Sequence, residues 1–255
     1  MLLSFLKYRK ALRYLSENQS YLPLKFMADH VQDWHSEYIN GSPFPHIAID
    51  DFFAPEVLDV VEREFAEPEQ QEDWTQFRNV VEWHKNGTSH DSMIPMFTRH
   101  LIYELNARPF LSFLEKLTGI PDLLPDPDLV GGGLHSVLPR GRLEVHADFN
   151  AHPRTQFTRR INVLIYLNKK WLPEYGGNLE LWNHDISRME VEIEPIFNRI
   201  SVFNTDENSF HGHPKPLNCP EDRQRKSIAM YYYTRNIPEK IHSTVYKISP
   251  AKSRP

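Results

Sequence analysis

The chain has 255 residues, 40% hydrophobic and 25% charged, a composition typical of a globular protein that buries a large core. Its net charge of −5 at pH 7 gives no basic field for a phosphate backbone, which disfavours nucleic acid as a partner, although a local basic groove stays open. The single cysteine, Cys219, excludes an internal disulfide and a thiol cluster for zinc or iron–sulfur binding. We therefore expect a cytoplasmic protein.

Residues 1–20, MLLSFLKYRKALRYLSENQS, place a short apolar run before the basic residues. A secretory signal has the reverse order and a longer apolar core, and no run in the chain approaches the length that spans a bilayer. We expect an amphipathic helix that packs on the domain, with contact to a membrane surface as the alternative. The leucines expected to pack are Leu3, Leu6, Leu12 and Leu15.

The first half of the chain contains one short strand and several helical stretches. The sequence HIAID predicts a strand over residues 46–50, and a helix follows from Pro55, a residue that fits the first turn of a helix. Residues 96–119 are interpreted as two helices, the second beginning at Pro109 and ending at Gly119. We expect residues 1–125 to form a supporting region of helices and strand.

Residues 126–255 change to a pattern of short strands separated by turns. The predicted strands are GLHSVL, RLEVHADF, RRINVLIYLN, GNLELWN, SRMEVEIEP, RISVFN, KSIAMYYYT and IHSTVYKI. Several short strands at this spacing favour a double-sheet jelly roll or a barrel over a parallel sheet with crossover helices. The predicted fold is therefore mainly β with helical N-terminal support, and we expect the two regions to form one integrated domain.

The stretch GRLEVHADFNAHP, residues 141–153, alternates apolar and polar side chains, as a strand with two unlike faces does. Its polar positions are Glu144, His146, Asp148, Asn150 and His152. Solvent-facing strand positions are more often Thr, Lys, Glu or Arg. The pattern therefore favours a face that lines a site, with a solvated outer face as the alternative.

His146 and Asp148 lie two residues apart in a predicted strand and therefore point the same way, so that both can reach one metal ion. A structural hydrogen-bonded pair is the alternative. A third ligand would come from FNTDENSFHGHP, which offers His211 and His213. Two histidines and one carboxylate with open positions suit non-haem Fe(II), but zinc hydrolases use the same ligand types. The ligand types alone leave the reaction open.

Five motifs in a fixed order resemble the Fe(II)- and 2-oxoglutarate-dependent oxygenases, and within them the prolyl hydroxylase branch. They are His-x-Asp, YLNKKW, YGGNLELW, HGHP and RKSIAMYYY, within residues 130–235, and FPHIAIDDFFAPEVLDVVEREF resembles the N-terminal supporting segment. The resemblance implies a double-stranded β-helix, which is a cupin-like jelly roll, with iron at its open end. It also implies Fe(II), 2-oxoglutarate and O2, with ascorbate supporting activity, and hydroxylation of a C–H bond that yields succinate and CO2.

The motif positions of the resemblance place the iron ligands on His146, Asp148 and His211, with His213 as the rival for the third position. They place the anchor for the distal carboxylate of 2-oxoglutarate on Arg225, whose planar guanidinium suits a carboxylate. A surface ion pair is the alternative role for Arg225.

The resemblance places the hydroxyl that helps to hold the same carboxylate on Tyr166, for which a core position is the alternative. Strand alternation puts Tyr166 on one face with Asn162 and Arg160, and puts Ser227 on one face with Arg225. We expect Asn162 and Ser227 to support the cofactor site. Arg160 is the second candidate for the anchor.

Prolyl hydroxylases commonly carry a tyrosine shortly before His-x-Asp, where this chain has LHSVLPRGRL. The substrate therefore stays open between a prolyl residue in a protein, a free amino acid and another small molecule. Asp148 favours hydroxylation, because related halogenases replace this carboxylate with a small residue. The alternatives to a hydroxylase are a non-catalytic jelly-roll module for binding or sensing, and a zinc-dependent hydrolase.

Overall fold

The computed structural model describes residues 2–247, with side chains from residue 8 onward. Its α-helices lie in the N-terminal half of the chain, where strands stand between them. The helices are α1 (Leu2–Asn18), α2 (Leu24–Ile39), α3 (Pro55–Glu64), α4 (Met96–Leu105) and α5 (Arg108–Thr118). Among the residues described, no helix combines the length and the apolar character that crossing a membrane requires.

The strands belong to one sheet of 12 strands in the described part of the chain. They are β1 (His46–Ile49), β2 (Thr75–Arg78), β3 (Glu82–Thr88), β4 (Leu124–Pro125), β5 (Gly133–Ala147), β6 (Thr158–Tyr166), β7 (Leu179–Trp182), β8 (Met189–Ile193), β9 (Ile200–Asn204), β10 (His211–His213), β11 (Arg225–Thr234) and β12 (Val245–Tyr246). Their main path runs β1-β9-β6-β11-β5-β10-β7-β8, and the paired strands are antiparallel.

The long strand β5 curls the sheet into a nearly closed barrel, because its two ends pair with different neighbours. Its first part pairs with β11, from Gly133 to Val137, and its second part pairs with β10 at Leu143 and His146. This jelly-roll arrangement with helices at the N-terminus agrees with the fold predicted from the sequence.

The main hydrophobic core lies between the helices and the outer face of the sheet. It includes Ile161, Val163 and Ile165 of β6, each 0% exposed, packed in one cluster with helix residues such as Leu101 and Leu114. α2 packs on α5 and α1 on α3, so the helices form a layer over one side of the barrel. The other face of the barrel strands is left to line a cavity.

Local sequence signals correctly place the ends of two helices. Pro55 occupies the first turn of α3, and Gly119 ends α5 with a φ of 72°, a left-handed conformation that glycine adopts without strain. The strand at β1 and the later strands from β6 to β11 also lie where the alternation predicts them, except for the short β10.

The predicted boundaries differ from the structure in several strands. GLHSVL and RLEVHADF form the single strand β5, because the kink at Arg140, with a φ of 64°, bends the strand without ending it. The last predicted strand is reduced to β12, and Ile248 lies outside the described residues. The α2 helix, the β2–β3 hairpin, β4 and β10 had no predicted counterpart.

The face of α1 that packs on the domain also differs from the prediction. Ala11 is 0% exposed, and Tyr8 and Leu15 pack against the same core cluster. Leu12 is 46% exposed, so its predicted packing is wrong. Successive helical residues are rotated by about 100°, which turns Leu12 away from the face that Ala11 defines. The side chains of residues 3 and 6, predicted to pack as well, lie outside those described.

Candidate metal centre and cavity

A cavity of about 370 Å³ lies inside the barrel, between the helix-free face of the sheet and the β2–β3 hairpin. Strands β3, β5, β6, β10, β11 and β12 all contribute to its walls. Of the residues proposed from the sequence as site residues, His146, Asp148, Asn162, His211, His213, Arg225 and Ser227 line it. Tyr166 does not line the cavity but lies buried beside Arg225.

His146, Asp148 and His211 form a compact group at one end of the cavity. Nε2 of His146 lies 3.6 Å from Oδ1 of Asp148, and Nε2 of His211 lies 3.5 Å from Oδ2 of the same carboxylate. Their potential ligand atoms all lie within 4.8 Å of one another. The pairing of β10 with β5 explains the geometry, because it sets His211 directly opposite His146.

Backbone carbonyls fix the orientation of both imidazoles. Nδ1 of His146 lies 2.9 Å from the carbonyl oxygen of Glu144, and Nδ1 of His211 lies 2.9 Å from that of Ser209. Since a carbonyl oxygen can only accept, each Nδ1 carries the proton and donates. In the neutral form of each ring the lone pair then lies on Nε2, on the side that faces the Asp148 carboxylate, which is the tautomer that a metal ligand requires.

Electrostatics hold Asp148 and His211 in the charge states suited to a cation. Burial raises the pKa of Asp148, but the charge of Arg159, 2.9 Å away, and the two histidines outweigh it and bring the pKa well below its usual range. Burial, followed by repulsion from His146, lowers the pKa of His211 to about 4. The group at neutral pH is thus one carboxylate with neutral imidazole at His211, which can hold a divalent metal ion.

A second group of potential ligands, Asp126, Asp128 and His152, lies outside the cavity. Nδ1 of His152 accepts from the backbone N–H groups of Arg154 and Thr155 at 3.2 Å, so its proton is on Nε2, which faces Asp126 at 3.4 Å. Both carboxylate oxygens of Asp126 also accept backbone N–H groups. These hydrogen bonds hold two loops together. The polar face predicted around His146 therefore does not extend to His152.

Two other polar positions of the same predicted face serve the surrounding structure. Glu144 accepts from Nε of Arg142 at 3.0 Å. Asn150 bonds the backbone of the C-terminal segment, donating to the carbonyl of Lys240 at 2.7 Å and accepting from the N–H of His242 at 2.9 Å. Neither Glu144 nor Asn150 lines the cavity.

Arg225 lies in the cavity wall without an acidic partner among the described residues. It is 5% exposed, its Nε donates to the carbonyl of Gly177 at 2.7 Å, and its guanidinium carbon lies 5.1 Å from the ring centre of Tyr166. A Cβ at Gly177, where φ is 75°, would come within 2.9 Å of Arg225, so the close approach requires glycine. Burial lowers the pKa of Arg225, as expected for a charge that lacks a counter-ion.

Two further buried polar atoms near Arg225 have no hydrogen-bond partner within residues 2–247. One is Oη of Tyr166, whose pKa burial raises against the opposing charge of Arg225. The other is Nδ1 of His213, a side chain that lines the cavity but is not part of the His146, Asp148 and His211 group. Burial, and then the charge of Arg225, lower the pKa of His213. Because buried polar groups normally have a partner, this end of the cavity is suited to a ligand with acceptor oxygens.

The predicted face of β6 is wrong at Arg160. The register runs from Ile161 opposite Tyr232 to Arg159 opposite Tyr233, which leaves Arg160 as the extra residue of a β-bulge. Arg160 therefore points away from the cavity, with Nη1 lying 3.5 Å from Oγ1 of Thr234, and Arg159 lines the cavity in its place.

Asn162 lies beside the group of His146, Asp148 and His211. Its Nδ2 donates to Oδ2 of Asp148 at 2.8 Å, and its Oδ1 accepts from Nε and Nη2 of Arg159 at 3.0 and 2.6 Å. Asn162 thus orients Asp148 and does not contact Arg225. Ser227, 2% exposed, pairs across the sheet with Tyr166 and lies in the cavity wall near Arg225.

Several cavity residues were not predicted from the sequence as site residues. Arg159 depends on the bulge, and Tyr246 reaches the cavity from the C-terminal strand β12, where its ring lies 5.2 Å from that of His146. Lys85 and Glu82, 2.7 Å apart, come from the β2–β3 hairpin. The predicted strands RRINVLIYLN and IHSTVYKI contain Arg159 and Tyr246, whereas no predicted strand covers Glu82 and Lys85.

Residues 132–233 match the model of the 2OG-Fe(II) oxygenase superfamily. No curated protein matches the chain. Solved structures share its fold: a prolyl hydroxylase from Trichoplax adhaerens, in complex with a hypoxia-inducible factor peptide fragment, has 17% identity and a TM-score of 0.59, covering 82% of this chain and 92% of its own.

Two other solved structures extend the comparison. A Pseudomonas putida prolyl-4-hydroxylase has 14% identity and a TM-score of 0.55, covering 79% of this chain and 99% of its own. HygX from Streptomyces hygroscopicus, solved with nickel, 2-oxoglutarate and hygromycin B, has 12% identity and a TM-score of 0.50, covering 79% and 86%. The family model thus matches the barrel segment from β5 to β11, and the three solved structures share the fold of this chain.

Proposed function

We propose that the chain is an Fe(II)- and 2-oxoglutarate-dependent dioxygenase that hydroxylates an unactivated C–H bond, with succinate and CO2 as products. The proposal rests on one observation: the same cavity contains the His146, Asp148 and His211 group and the guanidinium of Arg225, which has no acidic partner among the described residues. The first suits a divalent metal ion and the second suits a dicarboxylate cosubstrate.

His146, Asp148 and His211 would hold the iron through two Nε2 atoms and one carboxylate oxygen. Asn162 and Arg159 both contact Oδ2 of Asp148, so they hold the carboxylate in one orientation. When bound, Fe(II) would allow O2 to act as the oxidant, with 2-oxoglutarate as the co-reductant, so that one oxygen atom enters succinate as CO2 is released and the other enters the hydroxylated product. The protein side chains position these groups and exclude bulk water from the barrel interior.

Arg225 would pair with the distal carboxylate of 2-oxoglutarate. Its Nε is already held by Gly177, so the remaining N–H groups of the fork are oriented before the ligand arrives. The hydroxyl of Tyr166, which has no hydrogen-bond partner in the described part of the chain, and the hydroxyl of Ser227 would add to this end of the site. Each of these contacts would satisfy a buried polar group.

Hydroxylation is favoured over halogenation because Asp148 supplies a carboxylate at the position where halogenases have a small residue. A zinc-dependent hydrolase could use the same three ligands, and a binding module could keep them without turnover. A zinc-dependent hydrolase does not explain why the buried Arg225 has no acidic partner among the described residues, since hydrolysis of a substrate needs no dicarboxylate cosubstrate.

The substrate is proposed as a prolyl residue, a free amino acid or another small molecule. Similarity to a prolyl hydroxylase that binds a peptide supports the first of these. The lone cysteine, which needs no oxidising compartment, supports a cytoplasmic location.

Succinate formation tests the proposal. We expect purified protein with Fe(II), ascorbate, O2 and 2-oxoglutarate to release succinate, at a rate that falls to background when Zn(II) replaces Fe(II). The Asp148→Ala variant should release none. If the protein loaded with zinc, without 2-oxoglutarate, hydrolyses members of a panel of esters and amides, it is a hydrolase instead.

A further inference from the structure

We infer that Arg159 binds a carboxylate of the substrate, and that the substrate is a small carboxylic acid such as a free amino acid. This inference rests on the proposed function and specifies its substrate class. It concerns the side of the metal-binding group that faces Arg159, away from the position assigned to 2-oxoglutarate.

One nitrogen of the Arg159 guanidinium, Nη1, has no hydrogen-bond partner among the described residues. The residue is 1% exposed; Nε and Nη2 donate to Oδ1 of Asn162, and Nη2 also lies 2.9 Å from Oδ2 of Asp148. Nη1 is itself buried. Since a buried donor is costly to leave unsatisfied, an acceptor oxygen is expected there.

Two aromatic rings hold this guanidinium in place. Its central carbon lies 3.4 Å from the ring centre of Tyr231 and 4.5 Å from that of Phe149. The hydroxyl of Tyr231 is itself held by the carbonyl of Gly131 at 2.9 Å. Arg159, Tyr231 and Phe149 all line the cavity, so Nη1 is oriented before any ligand binds.

The charges around the cavity favour a carboxylate group of the ligand at Arg159. The lining includes three cations, Lys85, Arg159 and Arg225, and two anions, Glu82 and Asp148. A bound Fe(II) ion and the two carboxylates of 2-oxoglutarate cancel each other, so one positive charge stays uncompensated. Lys85 is paired with Glu82 at 2.7 Å, and Arg225 is assigned to 2-oxoglutarate. The surplus therefore lies at Arg159, whose carboxylate partner Asp148 is shared with the metal.

The size of the cavity favours a small acid over a peptide. Its volume of about 370 Å³ is near the lower end of the range for small-molecule sites, and 2-oxoglutarate must share it with the substrate. Arg159 also contacts the metal-binding carboxylate directly. A carboxylate held by Nη1 would therefore place a carbon only a few bonds away next to the metal.

Anaerobic titration tests the inference with defined probes. The Fe(II)-protein with 2-oxoglutarate is titrated with each proteinogenic L-amino acid and with the matching carboxamide, following the metal-to-ligand charge-transfer band. We expect at least one free acid to shift the band, and its carboxamide to bind at least about 10-fold more weakly, because a charge-assisted hydrogen bond is lost.

Variants assign this preference to one residue. Arg159→Gln should weaken binding of the acid by about 10- to 150-fold while changing that of the carboxamide little. Lys85→Met is the matched control, since it removes a cavity cation that already has a partner, and it should keep the acid-to-amide ratio. If Arg159→Gln does not fold, the ratio of acid to amide affinity in the wild-type protein decides whether a carboxylate of the substrate is recognised.

The outcomes separate this inference from the proposed function. No charge-transfer band with Fe(II) and 2-oxoglutarate would overturn both. A normal band that no free acid shifts, or that carboxamides and end-capped peptides shift at equal concentrations, would overturn the carboxylate inference alone. An unchanged acid-to-amide ratio in folded Arg159→Gln would remove Arg159 from the assignment.

Discussion

The ring of Tyr246 lies over the ring of His146, with centroids 5.2 Å apart and planes inclined by 37°. Backbone pairing between β12 and β5 produces the contact, because it places Tyr246 opposite His146 and Val245 opposite Ala147. The C-terminal strand therefore covers one side of a proposed metal ligand, on the same edge of β5 that β3 occupies further along.

Removal of the Tyr246 ring should weaken metal binding. In Tyr246→Ala the imidazole of His146 loses the surface that restricts its rotation, and we expect affinity for Co(II), used as a spectroscopic probe, to fall about 10-fold. Tyr246→Phe keeps the ring and should bind normally. Tyr103→Ala is a control, since Tyr103 is 51% exposed and remote from the cavity. Equal affinity in Tyr246→Ala would show that β12 does not support His146.

Substitution of the proposed ligands should separate His211 from its neighbour His213. His146→Ala, Asp148→Ala and His211→Ala should each lose Fe(II) and turnover, because three ligands define the site. His213→Ala should retain most of its iron, measured by metal analysis after gel filtration, since His213 is equally buried but outside the group. Loss of iron in His213→Ala with retention in His211→Ala would reverse the assignment.

Arg225 should control 2-oxoglutarate affinity without affecting the metal. Arg225→Leu leaves the distal carboxylate unpaired, at a cost of about 2–5 kcal/mol. This is roughly thirtyfold to several thousandfold in affinity, measured from the charge-transfer band of the anaerobic protein. Arg225→Lys should recover part of the loss. Arg160→Leu should change nothing, because the bulge turns Arg160 out of the cavity; a comparable loss there would contradict the anchor at Arg225.

The metal-free protein should be less stable in mild acid than at neutral pH, because the unfolded chain can protonate His135 and the folded chain cannot. Burial first, and then the charges of Lys85 and Arg225, hold the pKa of His135 well below its ordinary value. The unfolded chain therefore binds a proton that the folded chain does not, so stability is full above the unfolded pKa and falls as pH drops through it, by up to about 1.4 kcal/mol per pH unit. Urea unfolding at about pH 7.5 and about pH 5.5 should show a smaller decrease for His135→Gln than for the wild type. Equal decreases would exclude His135 as a source.

Asn198 should contribute strongly to stability at the junction of helices and barrel. Its side chain is 1% exposed, donates to the carbonyl of Phe53 at 2.8 Å and accepts from the N–H of Phe53 at 2.9 Å. Asn198→Ala leaves both backbone groups buried without a partner, and we expect a loss of about 2–4 kcal/mol in unfolding free energy. Exposed Asn208→Ala should change it by less than about 0.5 kcal/mol. A loss that small in Asn198→Ala would mean that water replaces the side chain.

The sequence predicts features that depend on neighbouring residues better than those that depend on distant pairing. Alternation places His146 and Asp148 on one face, and Pro55 and Gly119 mark helix ends, because these signals act within a few residues. The roles assigned to His146, Asp148, His211 and Arg225 stay predictions. The structure adds that they share one cavity.

Strict alternation fails where the backbone departs from a regular strand. The bulge at Arg160 reverses which residues face the cavity before Ile161. Alternation counted along the sequence therefore predicts Arg160 on the cavity face, where the structure has Arg159. The β2–β3 hairpin escapes prediction because its residues are mostly polar and partly exposed, with no apolar period. Tyr246 escapes because its neighbour is fixed by a strand pairing between distant segments.

Part of the cavity wall comes from segments outside residues 132–233, which match the superfamily model: the β2–β3 hairpin before them and β12 after them. The proposed reaction centre and this part of the wall are thus encoded in separate stretches of the chain. Over evolutionary time these two segments can diverge, and with them the choice of substrate, while the barrel keeps its chemistry. Relatives that share the barrel motifs but differ in the β2–β3 hairpin and β12 are therefore expected to act on different molecules.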